Sequence, residues 1–312
     1  MVNEIPYANS VFEQPWWLDI VAPGKWGEVT IKEHNQVIAR LPYVFDNGKI
    51  SMPVYTQTLG IWMDSKFNEF QKGNDHLAEQ KKIIHQLLSL LPKSKSFNFV
   101  FDSVVEYILP FRWEGFSIDP TFSYRITELD KDSIDNKLGK GVKRDLNRGM
   151  KTFSIDGNNN SIDEFIALQN ETYSRQNRKN PINNDLTASI ISKAINAQHG
   201  KLLFARDEKG NAHAGSFLLY DEKVCYHLLS GQNTKYGNLG AMPFLLYNEI
   251  LFASNNSKIF DFEGSMVEGI EQVYRRYGGK QVINWHVSKQ SVLSDLFAVM
   301  KPRIKRMIGY KI

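Results

Sequence analysis

Cysteine is nearly missing from this chain. Cys225 is the only one in 312 residues, so neither an intramolecular disulfide nor a four-cysteine zinc site can form. Seven histidines are present, but none stands in HExxH or paired-ligand spacing, and no metal is expected. No apolar run reaches the roughly 18 residues that span a bilayer. The opening MVNEIPYANS lacks a basic segment followed by an apolar one. No signal peptide and a cytoplasmic location are therefore expected. Strong charge imbalance is also lacking. Thirty-eight Lys and Arg stand against 34 Asp and Glu, a net +4. That permits an anionic substrate and does not point to DNA.

What is present is enough for a large core. Hydrophobic residues make up 42% and charged residues 23%, which excludes global disorder. At roughly 150 residues per domain the length favours two domains. Boundaries at 1–120 and 121–312 follow the change in pattern.

In the first half, Pro15 can open a short helix through Trp16, Trp17 and Leu18. Glu28 to Ile31 and Gln36 to Val44 resemble a hairpin. Leu77 to Leu91 has helical period, and Phe97 to Phe101 is a strand. Val104 to Leu109 suggests a brief helix that Pro110 stops. In the second half, Leu129 to Leu146 reads as a polar helix or helix pair. Lys140, Lys143, Arg144, Arg148 and Lys151 surround one acid, Asp145. Lys143 and Arg144 are candidate contacts for an anionic substrate; the alternative is a solvated face. Ser161 with Glu164 forms a capping-box signature.

Lys201 to Val287 carries the most information. Three strands with short turns (201–206, 212–220 and 224–230) make an antiparallel meander. A glycine-containing loop then delivers the chain to a helix at about 239–252. A strand ending at Asp261, a helix over 266–277 and a last strand over 281–287 follow. Backbone N–H groups at the helix start, beside Gly237 and Gly240, suit a phosphate; a plain turn is the alternative reading.

Several side chains here have useful chemistry. Asp261 and Glu263 alternate at one strand end, and either can accept a proton. Asp261 can equally serve as a cap for its own turn. Ser265 stands where an N-cap or a substrate contact fits. His227 is a candidate base, or a structural strand histidine. Cys225 shares its face; a Cys–His nucleophile can be drawn, but a core thiol is preferred. Tyr236, Tyr274 and Arg276 are candidate substrate contacts, although Tyr274 and Tyr277 also suit helix packing.

Three motifs carry a resemblance. They are YGNLGA at Tyr236 to Ala241, DFEGS at Asp261 to Ser265, and YRRYGG at Tyr274 to Gly279. With the strand-turn-helix-strand order, they resemble the GNAT acyltransferase fold in its FemAB-like branch. The FEQPWW opening at Phe12 to Trp17 is similar to bacterial members of that branch. The resemblance implies an α/β (α+β) fold of tandem GNAT-like domains, each a mixed, mostly antiparallel sheet flanked by helices. It implies transfer of an acyl group from acyl-CoA to an amine, such as an amino sugar or an envelope precursor. Gln232, Gly237, Leu239, Gly240 and Ala241 would then bind the donor. The spacing departs from the family's phosphate signature, because two residues separate Gly237 from Gly240. A second implied reading is an aminoacyl-tRNA-dependent transferase acting on a peptidoglycan precursor. No long charged arm of the kind that marks bridge-forming members is present. A non-catalytic GNAT-like binding protein is the third reading.

Overall fold

The computed structural model describes residues 2, 4–68, 74–175, 177, 179–233, 235, 239–264 and 266–290. The chain divides into two compact units. The N-terminal unit is Glu4–Thr121 together with 284–290, and the C-terminal unit is Phe122–Ile283. No single cut in the sequence expresses this, because the last described strand returns to the first unit.

The N-terminal unit opens with a 3-10 turn, Val11–Glu13, and helix α1, Pro15–Val21. Pro15 is at the helix start, where its missing N–H costs nothing. Strands β1 (Trp26–Glu33) and β2 (Gln36–Asp46) pair antiparallel, with β3 (Lys49–Ile50) and β4 (Trp62–Met63) against β2. Helices α2 (Ser65–Asn68) and α3 (Asn74–Leu90) follow, then β5 (Ser96–Phe101), which runs parallel to β3. Alternation puts Phe97, Phe99 and Phe101 inward. Helix α4 is Leu109–Trp113. Pro110 therefore starts a helix where the sequence suggested it would stop one, since its ring is tolerated in a first turn. Glu13 is fully buried under this sheet. It accepts bonds from Asn9 N at 2.8 Å and Gly60 N at 3.1 Å. Burial raises its pKa to about 7 against the opposing pull of the Asn9 bonds and Arg40.

β6 (Ser117–Ile126) leads into helices α5 (Lys131–Lys137) and α6 (Lys140–Met150), short strand β7 (Ser154–Asp156), and helices α7 (Ile162–Arg175) and α8 (Asn184–Asn196). Glu164 does not complete the capping box, because both its oxygens bind Arg206. A forked guanidinium is a stronger partner than one backbone N–H. The meander is β8 (Gly200–Arg206), β9 (Ala212–Tyr220) and β10 (Val224–Gln232). Next come α9 (Ala241–Asn256), β11 (Ile259–Asp261), α10 (Glu268–Arg276) and β12 (Lys280–Gln290). Residues 285–290 of β12 pair with β5 in the N-terminal unit.

In the C-terminal unit the strand order is β6, β11, β10, β9, β8, β7. All of these neighbours are antiparallel except β10 and β11. β9 is buried on both faces along nearly its whole length, which is why AHAGSFLLY shows no clean alternation. Cys225, Leu245 and Ile250 pack on one face with α9. α7 packs against β9 and β10 on the other, where Leu168 meets the Gly215 position. No helix among the described residues is long and apolar enough to cross a membrane.

Candidate functional site

The site follows from the one parallel pair of the C-terminal unit. β10 and β11 stay in register only from Val224↔Ile259 to Tyr226↔Asp261. β10 continues to Gln232 after β11 has ended, and a bulge skips Leu228 in its ladder with β9. Bulges re-aim side chains and recur beside functional sites. Helix α9 begins just past this free end.

A cleft of about 470 Å³ opens there. Its polar rim is Arg144 of α6, Arg175 at the end of α7, Gln232 and Arg276. Its floor includes Met242, Leu246 and Tyr277. Among the described lining residues Asp145 is the one acid, so three guanidiniums outweigh one carboxylate. Arg144 Nε donates to Asp145 Oδ1 at 3.1 Å on an exposed surface, a weak pair. The α9 N-terminus adds backbone donors. Gly240 is its N-cap without a side-chain cap, and Pro243 contributes no N–H. Gly240 is required here: its φ is +83°, and a Cβ would collide with the Asp145 carbonyl oxygen. Ala241 is the buried first residue of the helix, and Leu239 is exposed beside it.

Just over two turns along α9 from Ala241, and about one turn past Leu246 of the cleft floor, lies a polar cluster. Glu249 Oε2 accepts from His227 Nδ1 at 2.6 Å, with both residues buried. With the carboxylate accepting, Nδ1 carries the hydrogen and Nε2 is the basic nitrogen. Burial lowers the His227 pKa, but the Glu249 charge and hydrogen bond outweigh it, and the net shift is upward. Glu249 Oε1 is buried and has no hydrogen-bond partner among the described residues. A buried carboxylate oxygen without a donor marks a place for a water or a substrate N–H.

Tyr274 of α10 faces the same cluster. Its ring lies edge-on to His227, with centroids 6.5 Å apart, and stacks on Phe262 at 4.7 Å. Burial, then Glu249, Glu263 and Asp261, push its hydroxyl well above the usual range, so it stays a donor. Tyr277 is buried and donates to the Pro243 carbonyl at 3.0 Å, tying α10 to the start of α9.

Asp261 and Glu263 do not share a strand face as their spacing suggested. β11 ends at Asp261, and Glu263 has a left-handed φ of +65°. Asp261 is fully buried with both oxygens engaged. Oδ2 accepts from Arg125 Nε at 2.7 Å, and Oδ1 accepts from Glu263 N at 2.8 Å and from Ser123 Oγ. Burial raises its pKa, and these contacts oppose the rise. With both oxygens engaged and the side chain fully buried, this geometry makes Asp261 a positioning residue for the turn. Gly264 completes the turn at φ +68°, where any Cβ would strike the Phe122 carbonyl oxygen. Glu263 Oε1 is buried although the residue as a whole is half-buried. Burial, and next the Asp261 charge, push the Glu263 carboxyl well above the usual range.

The structure brings together His227 and Tyr274 at the cluster, and Gln232, Arg144 and Arg276 around the cleft; Glu263 stands in the turn after β11. Lys143 is not among them: it lines a separate depression with Lys131 and Asp135. Successive helical residues point about 100° apart, so a basic run cannot serve one site as a block. Cys225 is buried, and burial raises its thiol pKa well above the usual value, as for a core thiol. Tyr236, Gly237 and Ser265 lie outside the described residues. Glu249, Arg175 and Arg125 were not singled out from sequence. For Glu249 a signal exists, since it is the lone charge in the apolar stretch 241–253.

No protein-family model and no curated protein sequence matches the chain. Solved structures do. The crystal structure of FemX has a TM-score of 0.65 at 11% identity, over 89% of this chain and 92% of that one. L-PGS from Bacillus licheniformis has a TM-score of 0.56 at 12% identity, over 95% and 92%. A tandem GNAT protein from the clavulanic acid biosynthesis pathway has 0.50 at 8% identity, over 88% and 94%. At such identities the likeness is one of fold. The chain adopts the tandem GNAT-like, FemAB-like fold, with a largely antiparallel sheet flanked by helices.

Proposed function

We propose that this protein is an N-acyltransferase that moves an acyl group from a phosphate-bearing donor, an acyl-CoA, to an amine. One observation carries the reading. A buried His227–Glu249 pair with an unpartnered carboxylate oxygen stands one helical turn from an arginine-rimmed cleft. The cleft suits the donor's phosphates: Arg144, Arg175 and Arg276 supply charge, and the α9 N-terminus supplies backbone N–H groups. The acyl end then reaches towards the cluster.

The chemistry balances with groups at hand. The amine nitrogen attacks the thioester carbonyl and the C–S bond breaks. The amine's proton passes to His227 Nε2, directly or through water, while Glu249 steadies the imidazolium. The departing thiolate takes its proton from the His227 imidazolium so formed, directly or relayed through water or the Tyr274 hydroxyl, which leaves the imidazole neutral again. The unpartnered Glu249 Oε1 orients the amine through an N–H. The acceptor is a small-molecule amine or an envelope precursor.

The aminoacyl-tRNA-dependent reading also fits an open, basic cleft. The higher TM-score with FemX than with the tandem GNAT protein favours keeping it. Calorimetry decides between the two. Heat with acetyl-CoA or longer acyl-CoAs, lost in Arg276→Ala, supports the first. Silence with every acyl-CoA, together with salt-sensitive binding of charged tRNA, supports the second. Silence with both assigns the chain to a non-catalytic binding protein.

A further inference from the structure

The N-terminal unit carries a face that the transfer reading does not use. Two depressions adjoin along α3. One, of about 540 Å³, lies between Lys81, Lys82 and His85 of α3 and Trp113 and Glu114 at the end of α4. The other, of about 390 Å³, shares His85 and Glu114 and extends to Lys93, Lys95 and Lys289. The α3 positions involved, 78, 81, 82, 85, 88 and 89, recur every three to four residues, so one side of the helix forms the common wall.

The charge is one-sided. Among the described residues five lysines line the two depressions, and Glu114 is the only carboxylate. Glu114 is already occupied: Oε1 is 2.8 Å from His85 Nδ1, and its carbonyl accepts from Lys289 Nζ at 2.6 Å. Lys81 Nζ sits 4.9 Å from the Trp113 ring centre, and Lys289 Nζ 4.9 Å from that of Phe116. Large apolar side chains stand out beside them. Trp113 is 57% exposed and Leu109 52%. Leu109 precedes Pro110, which lines the first depression.

This combination selects an occupant. An exposed indole and an exposed leucine gain nothing from bulk water and little from a phosphate backbone, but gain on entering a headgroup layer. Lysine is a flexible point charge without arginine's fixed fork. It suits a fluid anionic surface better than a ligand of set geometry, and its alkyl stem can lie along apolar surface. We propose that this face docks on an anionic phospholipid surface, with Trp113 and Leu109 entering the headgroup region and the five lysines meeting lipid phosphates. Such docking would set the protein at a membrane without calling on a spanning helix among the described residues. It does not depend on the acyl-transfer reading, since the face and the arginine cleft share no residue.

The full chain is tested by co-sedimentation with vesicles of phosphatidylcholine alone, or of phosphatidylcholine mixed with phosphatidylglycerol. Binding is expected only to the mixed vesicles and should weaken with salt. Tryptophan emission should shift to the blue on binding, and Trp113→Phe should remove most of the shift. One lysine at such a surface is worth about five-fold in partition. Lys81→Glu with Lys82→Glu should therefore lower binding by more than about twenty-fold. Lys93→Glu with Lys95→Glu should do the same, and both variants should keep wild-type circular dichroism. Equal binding to both vesicle types, no binding to mixed vesicles at low salt, or undiminished binding by folded variants would overturn the proposal. So would tRNA binding through these lysines without vesicle binding, which assigns the face to RNA.

Discussion

His227 and Glu249 set the residue-scale expectations. The carboxylate holds the imidazole pKa above its ordinary 6.5 although burial pulls the other way. The acid limb of kcat/KM against pH should then have a midpoint above that value. Glu249→Gln removes the charge and leaves the burial, so the midpoint should move down and kcat should fall by about 10²-fold or more. A limb that stays in place in Glu249→Gln would remove this pair from proton transfer. Asp261 has a different duty. Asp261→Ala takes the carboxylate from buried Arg125 and should cost about 3–5 kcal/mol in denaturant unfolding. A stable Asp261→Ala with lost turnover would return Asp261 to a chemical role. Sequence could propose both residues, but not their roles. The role of Asp261 depends on Arg125, 136 positions away, and no local pattern announces that partner.

At the scale of elements, the start of α9 is the critical point. Gly240→Ala places a side chain at φ +83° against the Asp145 carbonyl. It should cost at least about 1–3 kcal/mol, lower Tm, and weaken donor binding by pushing α6 away from the helix start. Arg175→Ala and Arg276→Ala should each weaken acyl-CoA binding by about ten-fold in titration. Lys143→Ala should leave it unchanged, because Lys143 lines another depression. Equal losses for all three would mean that diffuse charge, not the cleft, attracts the donor. Most elements were legible. Helices such as α3 and strands such as β5 announce themselves by period, because a half-buried element repeats with its own geometry. α4 was misplaced because Pro110 can end one helix or begin another, and the chain around it decides which.

For the whole molecule, Glu13 links stability to pH. Its carboxyl titrates near 7 in the folded protein and near 4.5 in the unfolded chain. The stabilisation from its neutral form is complete below about 4.5 and is lost as pH rises through 7, about 3 kcal/mol in all. Glu13→Gln should flatten that decline in urea titrations run between those limits, even if it loses a bond from Asn9. An unchanged slope would show that Glu13 does not titrate there. What the sequence determined by itself was the order of strands and helices from Lys201 to Val287, the glycine turns, the single core thiol and the tandem arrangement. These depend on local period, on φ, or on a resemblance spread along the chain. Only the tertiary structure decided that Glu249 serves His227, that Arg175 joins Arg144 and Arg276, and that Asp261 is occupied. Charged side chains choose partners by distance in space, and the folding that buries them brings together residues that no spacing along the chain connects.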